Sequence, residues 1–325
     1  MMFKKKNTIP FEIVKKFVVF IAILYLFDYS VGRILKYWYF KQDSGLLYRT
    51  TYALDSTKAE IVILGSSYAN HHYTSAPFKE RLHSTFYNAG RDGNYIFYHY
   101  SILQGILKRY TPQKIILDFN FEAFKKDEIT YETISSLLPY YDNHPEIRSI
   151  IQLKGPFEKY KLISKTYPFN SLIYTIGIGN LEYNKTKRNK NYDEGYIPLF
   201  KTWNHTLTTD TFPRLYDLDS IKINIFRSFL LDCIKSKTQL YIVVSPSFTK
   251  YTYKDPSIQI ACNIANELNI PFFNFLNDTE ILRHSTFFAD RTHLNNEGAQ
   301  VFSNKVIDRI LKTEKVKAFS FVKSQ

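Results

Sequence analysis

Two segments at opposite ends of the chain hold residue types that can carry out nucleophilic chemistry. The apolar run Ile61-Val62-Ile63-Leu64 leads directly into Gly65-Ser66-Ser67, and Asp290-Arg291-Thr292-His293-Leu294 sets an acid and an imidazole three residues apart ahead of a helical pattern. A serine hydroxyl is a poor nucleophile until an imidazole takes its proton, and the imidazole needs a carboxylate to hold its tautomer and stabilise its cation. Ser67, His293 and Asp290 meet those three needs. A serine in the turn after a strand stands exposed at the sheet edge, where the N–H groups of the turn can face an oxyanion. Taken singly, the first segment is a small-residue turn and the second a capped helix start. In combination they form a split Ser-His-Asp arrangement.

Other candidates follow in the same neighbourhoods. Tyr68, His71 and His72 come directly after Ser67. Adjacent histidines on a helix point about 100° apart and do not readily share one ion, so no metal site is expected. One of the two imidazoles is expected to line the cleft beside Ser67, with the other exposed. Ser245-Pro246-Ser247 closes a later apolar run; it places Ser245 at the border of the same cleft and also suits a β-turn. Asp92, between Gly90 and Gly93, fits a turn former better than a catalytic acid. Cys233 and Cys262 are too few and too far apart for a zinc site or a disulfide framework, and are expected as two buried thiols.

These residues need a scaffold, and the chain supplies one with a clear rhythm. Five short runs rich in β-branched and aromatic residues predict strands over 60–64, 85–88, 114–119, 239–244 and 271–275. Helical patterns over 76–83, 95–110, 218–237, 257–268 and 295–312 separate or follow them. Strands alternating with helices predict an α/β domain with a parallel sheet covered on both faces, and function at the carboxyl ends of its strands. The stretch 125–211, rich in Tyr, Asn and Lys, breaks the rhythm. An insertion of that length is expected to form irregular helices covering one side of the cleft, as a lid.

The order of these blocks resembles the SGNH hydrolase superfamily, the GDSL-type esterases, over residues 58–313 apart from the insertion. Gly-x-Ser follows the first strand, Asn88-Ala89-Gly90-Arg91-Asp92-Gly93 the second and Asn120 the third, while Asp-x-x-His-Leu precedes the last helix. The resemblance implies a flavodoxin-like three-layer α/β/α sandwich with about five parallel strands. It implies that Ser67 is the nucleophile, His293 the base and Asp290 its partner, with the oxyanion held by the N–H groups of Ser67 and Gly93 and the side chain of Asn120. No cofactor is implied. Two positions depart from the pattern. Ser66 stands where the family name puts Asp, as in membrane-anchored branches that modify surface acyl groups, and Asp118-Phe119-Asn120-Phe121 supplies only the Asn of the usual third block.

The N-terminus gives the address. Phe17 to Phe27 is unbroken apolar sequence, and Phe11 to Val31 reaches the ~20 residues a helix needs to cross a bilayer. Five lysines precede the run and favour a cytoplasmic N-terminus, and Asp28-Tyr29-Ser30-Val31-Gly32 offers no good cleavage site. Residues 1–41 are therefore expected as a basic tail and uncleaved anchor, and 42–325 as a domain in the periplasm or outside the cell. Eight Lys or Arg against Glu12 and Asp28 put +6 of the +13 formal charge in that tail, so no nucleic-acid partner is expected. The Asn184–Lys190 basic cluster is expected as a solvated loop. Address and resemblance together imply a serine esterase or O-acyltransferase acting on acyl groups, acetyl above all, of an envelope or exported polysaccharide. Its partners would be an acylated glycan or other ester and polysaccharide-assembly proteins. The alternative is a catalytically silent scaffold or glycan-binding component of such an assembly.

Overall fold

The computed structural model describes residues 10–181 and 194–323, with side chains through 316. The tail lysines Lys4, Lys5 and Lys6 and the Asn184–Lys190 cluster lie outside the described residues.

Five strands form one parallel sheet: β1 (Ile61–Leu64), β2 (Phe86–Asn88), β3 (Lys114–Asp118), β5 (Gln239–Val244) and β7 (Phe272–Asn274), in the order β2-β1-β3-β5-β7. β4 (Thr208–Asp210) and β6 (Thr249–Tyr251) pair separately and were not anticipated; neither carries an apolar alternation. Each strand of the sheet lies within one residue of its expected bounds. Side chains alternate between the two faces of a strand, and here that alternation feeds two apolar clusters. Val62, Leu64, Ile115, Leu117, Ile242 and Val244 join one, while Ile61, Ile63, Ile116, Tyr241 and Val243 join the other. That double burial explains why the strands read as continuous apolar runs.

The first cluster is completed by α2 (Gly45–Asp55), by α5 (Ile96–Arg109), and by the Ser220–Lys235 and Pro256–Glu267 helices, through residues such as Leu54, Phe97, Phe226 and Ala261. The second is completed by α4 (Ser75–Leu82) and the C-terminal helix through Phe78, Phe302 and Val306. That last helix continues to Lys323 rather than stopping at Lys312. α2 was not anticipated, because its two fully sequestered ends, Leu47 and Leu54, are separated by polar Arg49, Thr50 and Thr51. Cys233 is buried as expected; Cys262 is only partly so.

The stretch between β3 and β5 is irregular, with short α and 3-10 turns from Glu128 to Gly179; Pro139 lies inside one 3-10 turn, and Pro145 and Pro168 sit at the starts of two others. It is not a free flap. Leu137, Tyr140, Ile147, Ile150 and Ile151 enter the same core as β1 and α5.

A single helix among the described residues, α1 (Phe11–Phe40), is long and apolar enough to cross a membrane. Only 6% of its most apolar stretch is buried. Its final turns behave differently. Gly32 and Tyr39 are buried, and Tyr39 donates its phenol proton to Tyr140 Oη at 3.0 Å. The packed body therefore begins inside α1, ahead of the division expected after residue 41.

Candidate active site

The chain leaves β1 for β2 on one side, then crosses to β3 on the other side of β1. A parallel sheet opens a crevice at the carboxyl ends of its strands where the order reverses in this way. Ser67, Gly93 and Asn120 leave the sheet there, after β1, β2 and β3 respectively. Gly65 makes the turn between β1 and the helix α3 (Ser67–His72), in a space with no room for a side chain. A Cβ there would lie 2.7 Å from Ala69 Cβ and 2.8 Å from Asp118 Cβ.

His293 approaches from the loop before the C-terminal helix. Its Nε2 is 2.8 Å from Ser67 Oγ, and its Nδ1 is 2.9 Å from Asp290 Oδ2. The network assigns the tautomer: Nδ1–H donates to Asp290, leaving Nε2 to accept the Ser67 proton. Asp290 Oδ1 also accepts from the Thr292 N–H at 2.7 Å, the Thr292 hydroxyl at 2.9 Å and the His293 N–H at 2.8 Å. Partial burial acts to raise the Asp290 pKa, but the hydrogen bonds from the His293 ring and the two backbone N–H groups outweigh it. They hold the carboxyl well below the usual carboxylate range. Asp290 therefore stays ionised and can stabilise an imidazolium. The loop is closed by Ala289 N–H donating to His293 O at 2.8 Å, and Asn295 caps the last helix by accepting from Gly298 N–H at 3.0 Å.

The two neighbouring histidines correct an expectation. Neither is exposed: His71 retains 7% of its surface and His72 none. His72 Nε2 accepts the Leu294 N–H at 3.0 Å, so its ring holds the loop that carries His293. Burial, then the nearby His293 and His71, push the His72 pKa well down, which keeps the accepting nitrogen unprotonated. His71 donates Nδ1–H to Ile197 O at 2.8 Å and turns Nε2 toward Asp92 Oδ2 at 3.4 Å. Asp92 also accepts from Asn70 Nδ2 at 2.7 Å, consistent with a structural role in its turn. Tyr68 does line the site, its ring 5.7 Å from that of His293.

The three expected oxyanion donors differ in readiness. The backbone N–H groups of Ser67 and of Gly93, whose φ is +65°, have no hydrogen-bond acceptor among the described residues. Asn120 is half-buried, and its amide donates to Ser66 Oγ at 2.7 Å. Ser66, only 3% exposed, thus tethers the side chain expected to donate to substrate. One amide hydrogen of Asn120 remains for another acceptor.

Ser245 departs from its expected place at the cleft edge. It is only 4% exposed and donates its hydroxyl to Asp118 Oδ2, which also accepts from Tyr73 Oη at 2.5 Å. Sequence reasoning passed over Asp118 because an acid closing a strand has many ordinary explanations. It also missed the pairing of His72 with Leu294, since nothing local links positions 222 residues apart.

No protein-family model matches the chain, and no curated protein is detectably similar to it.

Proposed function

We propose that the protein is a membrane-anchored serine esterase or O-acyltransferase with an SGNH-like three-layer α/β/α domain. One observation carries the reading: the continuous chain of hydrogen bonds from Ser67 Oγ through His293 to Asp290, set at the carboxyl ends of the central strands. In this reading His293 Nε2 removes the Ser67 proton as Oγ bonds to the ester carbonyl carbon. The N–H groups of Ser67 and Gly93 and the free hydrogen of Asn120 receive the oxyanion. Collapse breaks the ester C–O bond, and His293 returns the proton to the departing alcohol. Water or a sugar hydroxyl, deprotonated by His293, then attacks the acyl-Ser67 and releases an acid or a new ester. α1 supports the anchor, the lysines ahead of its apolar run favour a domain outside the cytoplasm, and that address favours acyl groups of an envelope or exported polysaccharide as the substrate class.

A fluorophosphonate probe, which phosphonylates an activated serine with loss of fluoride, tests the reading on the full chain in detergent. The wild type is expected to be labelled, and Ser67→Ala and His293→Ala are not. A folded wild type that takes no label would turn the reading to the silent scaffold, which the tethered Asn120 favours. Asn120→Ala is expected to lower kcat by about 10²-fold with little change in KM, because a donor that strengthens only in the transition state contributes to kcat. An unchanged kcat would remove Asn120 from the oxyanion hole.

A further inference from the structure

Residues between β3 and β5 grip α1 at the end of its bare stretch. Asp28 accepts from the Ser164 hydroxyl at 2.6 Å, from the Lys165 N–H at 2.7 Å and from the Thr166 N–H at 3.2 Å, and its carbonyl accepts from the Thr166 hydroxyl at 3.0 Å. One turn on, Gly32 packs so closely that a Cβ would lie 2.3 Å from the Lys165 carbonyl carbon. The stretch Phe11–Phe27 that precedes this clamp is about 26 Å of helix at 1.5 Å per residue, close to the ~30 Å hydrocarbon thickness of a bilayer. With α1 as the anchor, that length match puts the exit from the bilayer near Asp28.

At that level the domain presents an apolar stripe to the outside. Tyr160 lies on the short helix Glu158–Lys161, Phe157 is its N-cap and Ile163 follows its C-cap; the three are 58%, 66% and 62% exposed. Ile163 is covalently joined to Ser164, so the Asp28 clamp fixes its height. The helix is itself held down, because Glu158 is only 1% exposed and accepts from Tyr167 Oη at 2.8 Å. Lys159 lies over the Tyr160 ring at 5.0 Å, and Tyr25 and Tyr29 stack at 6.5 Å on α1 near the same level. Aromatic rings flanked by lysines are the composition of a membrane–water interface. Just beyond the clamp, a cavity of about 200 Å³ is lined by Arg33, Lys36, Lys165 and Asp142, among others, leaving two positive charges in excess at head-group height.

We infer that the Phe157–Ile163 segment is a second membrane contact, seated in the bilayer interface beside α1, so that the domain is held in a fixed orientation on the lipid surface. The inference goes beyond the esterase reading and rests only on α1 as the anchor. The test uses the full chain in phospholipid nanodiscs. A nitroxide is placed at Ile163→Cys, Leu215→Cys or Ile21→Cys in a Cys262→Ser background; Cys233, which is fully buried, stays unlabelled. Relaxation by oxygen is compared with relaxation by a water-soluble nickel complex. The label at 163 is expected to favour oxygen, as at 21, while that at 215, where the native Leu is 97% exposed, favours nickel. A nickel-favouring label at 163 with an oxygen-favouring label at 21 would overturn the seat and leave the anchor standing. Nickel preference at both would overturn both. Protection of 163 from both agents would mark a protein partner and also overturn the seat. Tyr160→Cys repeats the reading at an independent position.

Discussion

In the proposed esterase reading, Ser67→Ala and His293→Ala are each expected to lower the kcat for a small activated ester such as p-nitrophenyl acetate by on the order of 10⁶-fold, with the double variant no worse than either. The reason lies in the single hydrogen bond between Ser67 Oγ and His293 Nε2. Without the imidazole the hydroxyl keeps its proton, and without the hydroxyl the imidazole has nothing to activate, so the two losses describe one missing step. Asp290→Asn is milder, about 10⁴-fold, because the amide leaves the ring in place and disfavours only its tautomer and cation. Neither larger change should cost much stability. Ser67 is half-buried and its hydroxyl has His293 as its partner, while His293 is 22% exposed. Steady-state kinetics on the purified full chain, with circular dichroism as the check on folding, give the answer. Losses that multiply in the double variant, or a Ser67→Ala protein with most of its activity intact, would refute the shared step.

How far the sequence anticipated this site depends on how local each signal is. Strand β5 is legible to the residue because Gln239–Val244 is buried along five of its six residues and stops at Ser245-Pro246. The His293–Asp290 pair is legible because one loop contains both. The Ser67–His293 contact is not local, and only the order of blocks suggested it. His71 and His72 show the limit from the other side. Their adjacency was plain, but their burial is decided by Ile197 and Leu294, far away in sequence. α1 was legible as an apolar run, whereas its grip at Asp28 depends on Ser164–Thr166, a polar triplet with no pattern of its own. For the same reason the insertion read as a lid: its apolar residues lack a period, and the core they fill is assembled from other segments.

The second large effect is on stability, and it comes from Asp118. Complete burial raises its pKa to about 7, against the opposing hydrogen bonds from Ser245 and Tyr73, with no cation among the described residues countering the burial. Oδ1 has no partner. In the unfolded chain the same carboxyl titrates near 3.8. Between those values the folded state holds a proton that the unfolded state has released, so stability falls as pH rises from about 4 to about 7 and is level above. A difference of three units is worth on the order of 4 kcal/mol. Asp118→Asn removes that slope. It keeps an acceptor for Tyr73 and Ser245 but places an unpaired N–H₂ where Oδ1 was, at a cost of about 1–3 kcal/mol. The two urea-unfolding curves are therefore expected to cross: wild type the more stable at pH 4, the variant the more stable at pH 8 by about 2 kcal/mol, the first loss less the second. Parallel curves would mean that Asp118 does not titrate across this window. The consequence reaches the candidate site by packing alone. The Asp118 Cβ bounds the space that forces glycine at position 65, and Asn120 lies two residues further along the same chain. We predict that ionisation beneath the β1 and β3 termini disturbs the backbone that sets Ser67 and Asn120; in the esterase reading, activity of the wild type is then expected to lose more at alkaline pH than that of Asp118→Asn.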